Sequence, residues 1–279
     1  MNERTVAAGD VSFFVRTAGD GDPILLLHGF PQTGDCWKTV AERLARTHRV
    51  IVPDLPGFGR SSSPPSYGAA AVAGTFVALL DAIGESQAVT IVGHDWGGSL
   101  SFAFALEHPH RVTRLVVTNA PFRKLDLKRG FHFLAFNVPL LPEVAFRLVG
   151  DRLVRLILRA GSARKEVMHD EAVRPYVAAY RESANVSSAM SYYRTVTRNV
   201  IARRFRRPAP GRGAPRRIEA PTLIVWGMRD RGLPASVLDG IQDDIPHARV
   251  VRLDDVGHFV PDEAPEELAT AIAEFIANG

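Results

Sequence analysis

The chain has 279 residues, of which 46% are hydrophobic and 23% charged, with 23 Gly and 19 Pro; that length supports a substantial core, and the composition excludes collagen-like, low-complexity and fully disordered chains. One cysteine, Cys36, excludes an intramolecular disulfide and a thiolate zinc site. The formal charge of +4 is local: Arg198, Arg203, Arg204, Arg206, Arg207, Arg212, Arg216 and Arg217 fall in a stretch without an acidic residue, which leaves the rest of the chain mildly acidic. No recognised nucleic-acid motif accompanies those arginines, so an exposed basic connector is expected. Neither a secretory signal nor an apolar run long enough to span a bilayer is visible, and a cytoplasmic location is expected.

Short apolar segments alternate with helical patterns through the first 120 residues. Val11–Thr17, Pro23–Leu27, Arg49–Val52, Ala88–Val92 and Arg114–Thr118 read as strands, separated by helices over Gly34–Arg46, Ala69–Gly84 and Gly97–Glu107. This order predicts an α/β fold with a mostly parallel central sheet. Continuous runs such as Ile24 to Leu27 suit strands buried on both faces. Residues 122–217 lack strand alternation and carry helical stretches at Val144–Ala160, Glu171–Ser183 and Val186–Ile201; they predict a helical lid ending in the Arg/Pro/Gly connector 206–217. The strand pattern resumes with Thr222–Trp226 and Arg249–Leu253, and Pro265–Ala277 reads as a closing helix with Pro in its first turn. The expected organisation is a core of residues 1–121 and 218–279 interrupted by that lid.

Gly93-His94-Asp95-Trp96-Gly97-Gly98 follows a buried strand and precedes a helix, the context of a nucleophile elbow. Asp95 stands where the elbow usually carries serine. A carboxylate is ionised at neutral pH and can displace a leaving group from saturated carbon, leaving an alkyl ester. His28-Gly29-Phe30-Pro31 ends the strand Pro23–Leu27, and the Phe30 and Trp96 amides are candidates for an oxyanion hole. Downstream, Asp230 and His258 each follow a strand, at the edge where open α/β sheets gather their sites. The order nucleophile, acid, histidine suits a triad in which His258 activates water and Asp230 orients it. Asp254, Asp255 and Asp262 are expected to be solvated loop carboxylates, and His94 a packed neighbour.

Together with Asp54-Leu55-Pro56-Gly57-Phe58-Gly59-Arg60-Ser61, these motifs run in order through the whole core, and the chain resembles the epoxide hydrolase and haloalkane dehalogenase branch of the α/β hydrolases. The resemblance implies an α/β-hydrolase fold with the lid inserted after the sixth core strand, Asp95 as nucleophile, His258 as base, Asp230 as its partner, and no cofactor or metal. Ser191-Tyr192-Tyr193-Arg194 resembles the lid segment in which epoxide hydrolases carry a ring-opening tyrosine, which places that role on Tyr193, with Tyr192, Tyr180 and Tyr176 as weaker candidates. The second lid tyrosine of the family has no counterpart between Asn119 and Pro175, and the alignment puts His132 in its place.

Phe30 occupies the position where many dehalogenases have a halide-binding asparagine, and residues 122–217 contain no tryptophan. Epoxide hydrolysis is therefore the expected activity, with a small apolar epoxide and water as partners and neither nucleic acid nor membrane. Dehalogenation and a non-catalytic ligand-binding role stay open, as does a homodimer.

Overall fold

The computed structural model describes residues 1–122, 135–205 and 216–278. Eight strands form one sheet: β1 (Asn2–Ala8), β2 (Val11–Ala18), β3 (Pro23–Leu27), β4 (Arg49–Pro53), β5 (Val89–His94), β6 (Val112–Thr118), β7 (Thr222–Gly227) and β8 (Ala248–Leu253). Their spatial order is β1-β2-β4-β3-β5-β6-β7-β8. β1 and β2 pair antiparallel, β2 pairs antiparallel with β4, and every later pair is parallel. The near-continuous apolar runs of β3, β5 and β7 are buried almost throughout, as expected of central strands covered on both faces.

Helices α1 (Lys38–Leu44), α2 (Ala69–Ala82), α3 (Trp96–Glu107) and, at the end of the chain, α7 (Pro265–Ala277) complete the core. Three longer elements lie between β6 and β7: α4 (Leu141–Gly161), α5 (Asp170–Ala179) and α6 (Ser183–Phe205). Two local expectations shift. The first helix begins as a 3-10 turn over Gly34–Trp37 before α1. β1, read from Asn2-Glu3-Arg4-Thr5, had no apolar alternation to announce it; its outer positions are exposed, and the backbone ladder to β2 holds it at the sheet edge.

The insertion meets the core through particular bonds. Tyr192 in α6 donates from its hydroxyl to the Pro56 carbonyl at 3.0 Å, and Asn185 Nδ2 donates to the Gly59 carbonyl at 2.9 Å. Thus the Asp54–Ser61 loop is where α6 sits. That loop is itself built round Asp54, whose buried carboxylate accepts from the Gly34 and Arg60 amides, each at 2.9 Å, and from Arg16 Nη1 at 2.8 Å. Among the described residues, no helix is long and apolar enough to cross a membrane.

Candidate active site

Asp95 sits between β5 and α3 with φ 51° and ψ −115°, a backbone region that costs an ordinary residue on the order of 1–3 kcal/mol and is held by its surroundings. The holding bonds are visible: the Gly97 amide donates to the His28 carbonyl at 2.9 Å and the Ser99 amide to the Asp95 carbonyl at 2.9 Å. A Cβ on Gly97 would overlap the Leu27 carbonyl, and one on Gly29 would overlap the Asp95 side chain. Small residues at these two positions let the β3 loop close against the elbow.

That closure brings the Phe30 amide to Asp95, where it donates to Oδ1 at 3.0 Å. Trp96 opens α3, so its amide is one of the first-turn donors that a helix leaves without an internal acceptor. On the other side of the carboxylate, His258 Nε2 lies 3.5 Å from Asp95 Oδ2, while Nδ1 donates to Asp230 Oδ2 at 2.7 Å. Asp230 is fixed in turn: its Oδ1 accepts from the Gly232 and Leu233 amides at 2.8 and 2.9 Å, and Oδ2 accepts from Asn119 Nδ2 at 2.7 Å. Asn119 directly follows β6 and carries no charge of its own. The structure makes it a partner of Asp230, and its Oδ1 also accepts from the Gly227 amide at 2.9 Å.

The electrostatics follow from this sandwich. Burial disfavours the His258 imidazolium, but Asp230 and then Asp95 outweigh it and raise its pKa to about 10. Burial alone would raise the carboxyls of Asp95 and Asp230; the charged His258 between them holds both below their ordinary value, with help from the Phe30 amide for Asp95 and the Leu233 amide and Asn119 for Asp230. His94, whose ring lies 5.0 Å from that of His258, goes the other way: burial, followed by the His258 charge, depresses it to about 3. It is therefore neutral, packed against the site with Nδ1 facing the Thr118 hydroxyl at 3.0 Å.

Two carboxylates turned inward had no sequence signal. Glu263 accepts from the Gly257 amide at 2.9 Å, the Ala163 amide at 2.8 Å, the Arg164 amide at 2.9 Å and the Phe259 amide at 3.1 Å. It ties the His258 loop to the end of α4, as does the His258 amide, which donates to the Gly161 carbonyl at 2.9 Å. Asp262 corrects an expectation. Unlike Asp254 and Asp255, which are exposed, it is part-buried and accepts from Gln32 Nε2 at 2.6 Å and from the Tyr176 hydroxyl at 2.8 Å. The chain reverses into a short helical turn at Val260–Glu263, which turns this carboxylate inward.

The four described tyrosines of the insertion divide into two pairs. Tyr176 and Tyr192 spend their hydroxyls on Asp262 and Pro56. Tyr193 and Tyr180 both pack edge-on against Phe30, with ring centroids at 5.7 and 5.3 Å. Tyr193 also meets the Trp96 indole at 5.0 Å. Burial raises both phenols well above their usual value; the Asp95 charge adds to this directly for Tyr193, and Tyr193 and Asp95 add to it for Tyr180. Both are therefore protonated. The Tyr180 hydroxyl is buried without a hydrogen-bond partner among the described residues. His132 lies outside the described residues, as do Arg206, Arg207 and Arg212 of the basic connector. No group of three or more His, Cys, Asp or Glu side chains among the described residues is placed to hold a metal.

Residues 22–265 match the α/β hydrolase fold family. A cis-3-alkyl-4-alkyloxetan-2-one decarboxylase of Shewanella oneidensis is 28% identical over 273 residues, covering 93% of this chain and 83% of that protein. Haloalkane dehalogenase 2 of Mycobacterium tuberculosis is 30% identical over 268 residues, 92% of this chain and 88% of that protein. The solved structure of potato (Solanum tuberosum) epoxide hydrolase I superposes with a TM-score of 0.87 at 25% identity, covering all of this chain and 99% of the other. With strand-end loops that bring Asp95, His258 and Asp230 into contact and a family match that spans the core, the chain belongs to the α/β hydrolases, in the branch that holds haloalkane dehalogenases and epoxide hydrolases.

Proposed function

We propose that this hydrolase opens epoxides to vicinal diols. The observation that carries the reading is the pair of protonated phenols, Tyr193 and Tyr180, set against Phe30 beside an ionised Asp95. A halide leaves without a proton, whereas the alkoxide of an epoxide needs one, so protonated phenols near enough to feel the Asp95 charge favour oxygen as the leaving atom.

In the first half-reaction an Asp95 oxygen attacks one epoxide carbon, the C–O bond breaks, and Tyr193 gives its proton to the departing oxygen. The product is a hydroxyalkyl ester on Asp95. The ester carries no charge, so His258 loses one of the two carboxylates that hold it as imidazolium, and its pKa falls. The proton it releases restores the Tyr193 phenol. The neutral imidazole, oriented by Asp230, then takes a proton from water as hydroxide adds to the ester carbonyl. The Phe30 amide, already 3.0 Å from Asp95 Oδ1, and the Trp96 amide meet the negative oxygen of the tetrahedral intermediate. Its collapse releases the diol and regenerates the carboxylate, for a net addition of one water. Tyr180, packed on Phe30 as Tyr193 is, supplies a second phenol, beside the part that sequence alignment gives His132. A small apolar epoxide and water are the partners, and the chemistry draws on no cofactor.

Trp96, one residue from Asp95, is the feature that favours dehalogenation, since an indole N–H can meet a halide. One experiment separates the two. His258→Gln protein treated with styrene oxide should accumulate one substrate mass on the peptide containing Asp95, and the parent should form diol without releasing halide from 1-bromobutane. An adduct on another residue, or faster release of bromide than of diol, overturns the proposal.

A further inference from the structure

Nine large hydrophobic residues are exposed among those described, and seven of them lie between Val138 and Leu156. Leu140 is 72% and Leu148 75% exposed. They are not scattered. Leu140, Val144, Leu148 and Val149 join Phe146 and Val186 in the walls of a cleft of about 990 Å³ between the first half of α4, the end of α5 and the start of α6. A concavity with apolar walls and charged residues among its lining suits an amphipathic molecule.

The cleft lies behind the candidate active site, with shared aromatic rings between them. Phe146 and Tyr180 line its floor, with ring centroids 5.7 Å apart, and the same two rings pack against Phe30 at 6.3 and 5.3 Å. Phe30 is the residue whose amide touches Asp95. One layer of aromatic rings thus separates cleft from carboxylate. Nothing but packing holds the Tyr180 ring in that layer, since its hydroxyl has no partner among the described residues. Behind Phe146, α4 departs from helical geometry at Val149, with φ −137° and ψ 24°.

The rim carries charge of one usable sign. Glu143 is matched by Arg194 at 2.6 Å and Asp151 by Arg181 at 2.7 Å. Arg147 and Arg152 line the same cleft and have no carboxylate partner among the described residues. We infer that the cleft binds the tail of a long-chain substrate with an anionic end: an alkyl chain along Val144, Leu148 and Val186, a terminal carboxylate at Arg147 and Arg152, and the reactive carbons reaching Asp95 when the Tyr180 ring, held by packing alone, swings out of the layer. The reactive end of this inference rests on the epoxide reading; the tail does not.

The test is calorimetric titration with dodecanoate, methyl dodecanoate and hexanoate, below their aggregation limits. Dodecanoate should bind once per chain and hexanoate at least about tenfold more weakly. Arg147→Ala with Arg152→Ala should weaken dodecanoate about tenfold and leave the methyl ester unchanged, and Leu148→Glu, an exposed change that spares the fold, should weaken both. Equal dodecanoate affinity in parent and double-arginine variant, or no chain-length preference, overturns the inference. So would a dimer in sedimentation that Leu148→Glu dissolves while dodecanoate binding persists, because the face would then belong to a second copy. In a parallel arm, 10,11-epoxyundecanoate and styrene oxide are assayed for turnover. The arginine variant should raise KM for the epoxy acid with kcat unchanged. If neither epoxide is opened while dodecanoate binds as described, the epoxide reading fails and the cleft assignment stands; if both are opened with the same kcat/KM and the arginine variant alters neither, the cleft assignment fails and the reading stands.

Discussion

The two sides of the candidate site are built differently. On the core side, Asp95, His258 and Asp230 stand on turns that follow β5, β8 and β7, and each is pinned by backbone amides or a neighbouring side chain. On the insertion side, Tyr193 stands on α6 and Tyr180 in the turn that ends α5, elements joined to the core by a few side-chain bonds, and α4 carries exposed apolar side chains on its outer surface. The rigid side carries charge whose position the reaction cannot do without. The helical side carries neutral phenols and apolar walls, whose placement selects what reacts. Chemistry and selection are therefore separable by substitution.

The largest effect should come from breaking the rigid side without disturbing its shape. Asp230→Asn keeps the amide contacts from Gly232 and Leu233 but removes the charge that holds the His258 proton. Ester hydrolysis should slow on the order of 10³-fold, with ester formation changed far less. Single-turnover kinetics that resolve the two steps provide the check, and an equal loss in both steps would mean that the substitution had collapsed the site.

On the helical side the effect should be smaller and confined to the other step. Tyr193→Phe should slow ester formation on the order of 10²-fold and spare ester breakdown. Tyr180→Phe alone should cost less, and the double variant more than the product of the two, because each phenol covers for the other at the same carboxylate. Adding His132→Ala to the Tyr193→Phe background measures whether that histidine shares the work. Strictly multiplicative effects would place the two tyrosines in separate roles.

The same contrast explains what was legible in the sequence. Elbow, oxyanion loop, acid and histidine are short-range patterns: a turn between strand and helix needs glycine at fixed offsets, and a residue after a strand falls at the sheet edge whatever else the chain does. The central strands were visible for the same reason, as apolar runs. β1 was not, since an edge strand made by ladder hydrogen bonds needs no apolar face. Nor were Asn119, Glu263 and Asp262, polar residues whose partners lie far along the chain: Gly227 and Asp230 for the first, Ala163 and Arg164 for the second, Gln32 and Tyr176 for the third. Tyr180 ranked low because helical spacing gives a face but not the neighbour that fills it; only packing against Phe30 shows which tyrosines keep a hydroxyl for the site.

The smallest effect concerns a bond that crosses between the two sides. Asp262 holds Gln32, two residues from Phe30, and Tyr176 of α5. Burial raises its pKa to about 6, against which its bonds from Gln32 and Tyr176 pull down. The folded protein therefore binds this proton more tightly than the unfolded chain, whose aspartate titrates near 3.9, and stability from this group falls as pH rises from about 4 to 6. Above pH 6 an ionised carboxylate is held at the seam at a cost. Asp262→Asn keeps an acceptor for the Tyr176 hydroxyl and cannot ionise, so it should match the parent at pH 5 and exceed it at pH 8. For a difference of about 1 kcal/mol, a chain of this size gains about 2–4 °C in Tm. Thermal unfolding of both proteins at the two pH values isolates the group, because every other titration cancels in the difference. A variant less stable than the parent at pH 8 would show that the charge holds the seam together, and that the helical side is bound to the core more firmly than its few bonds imply.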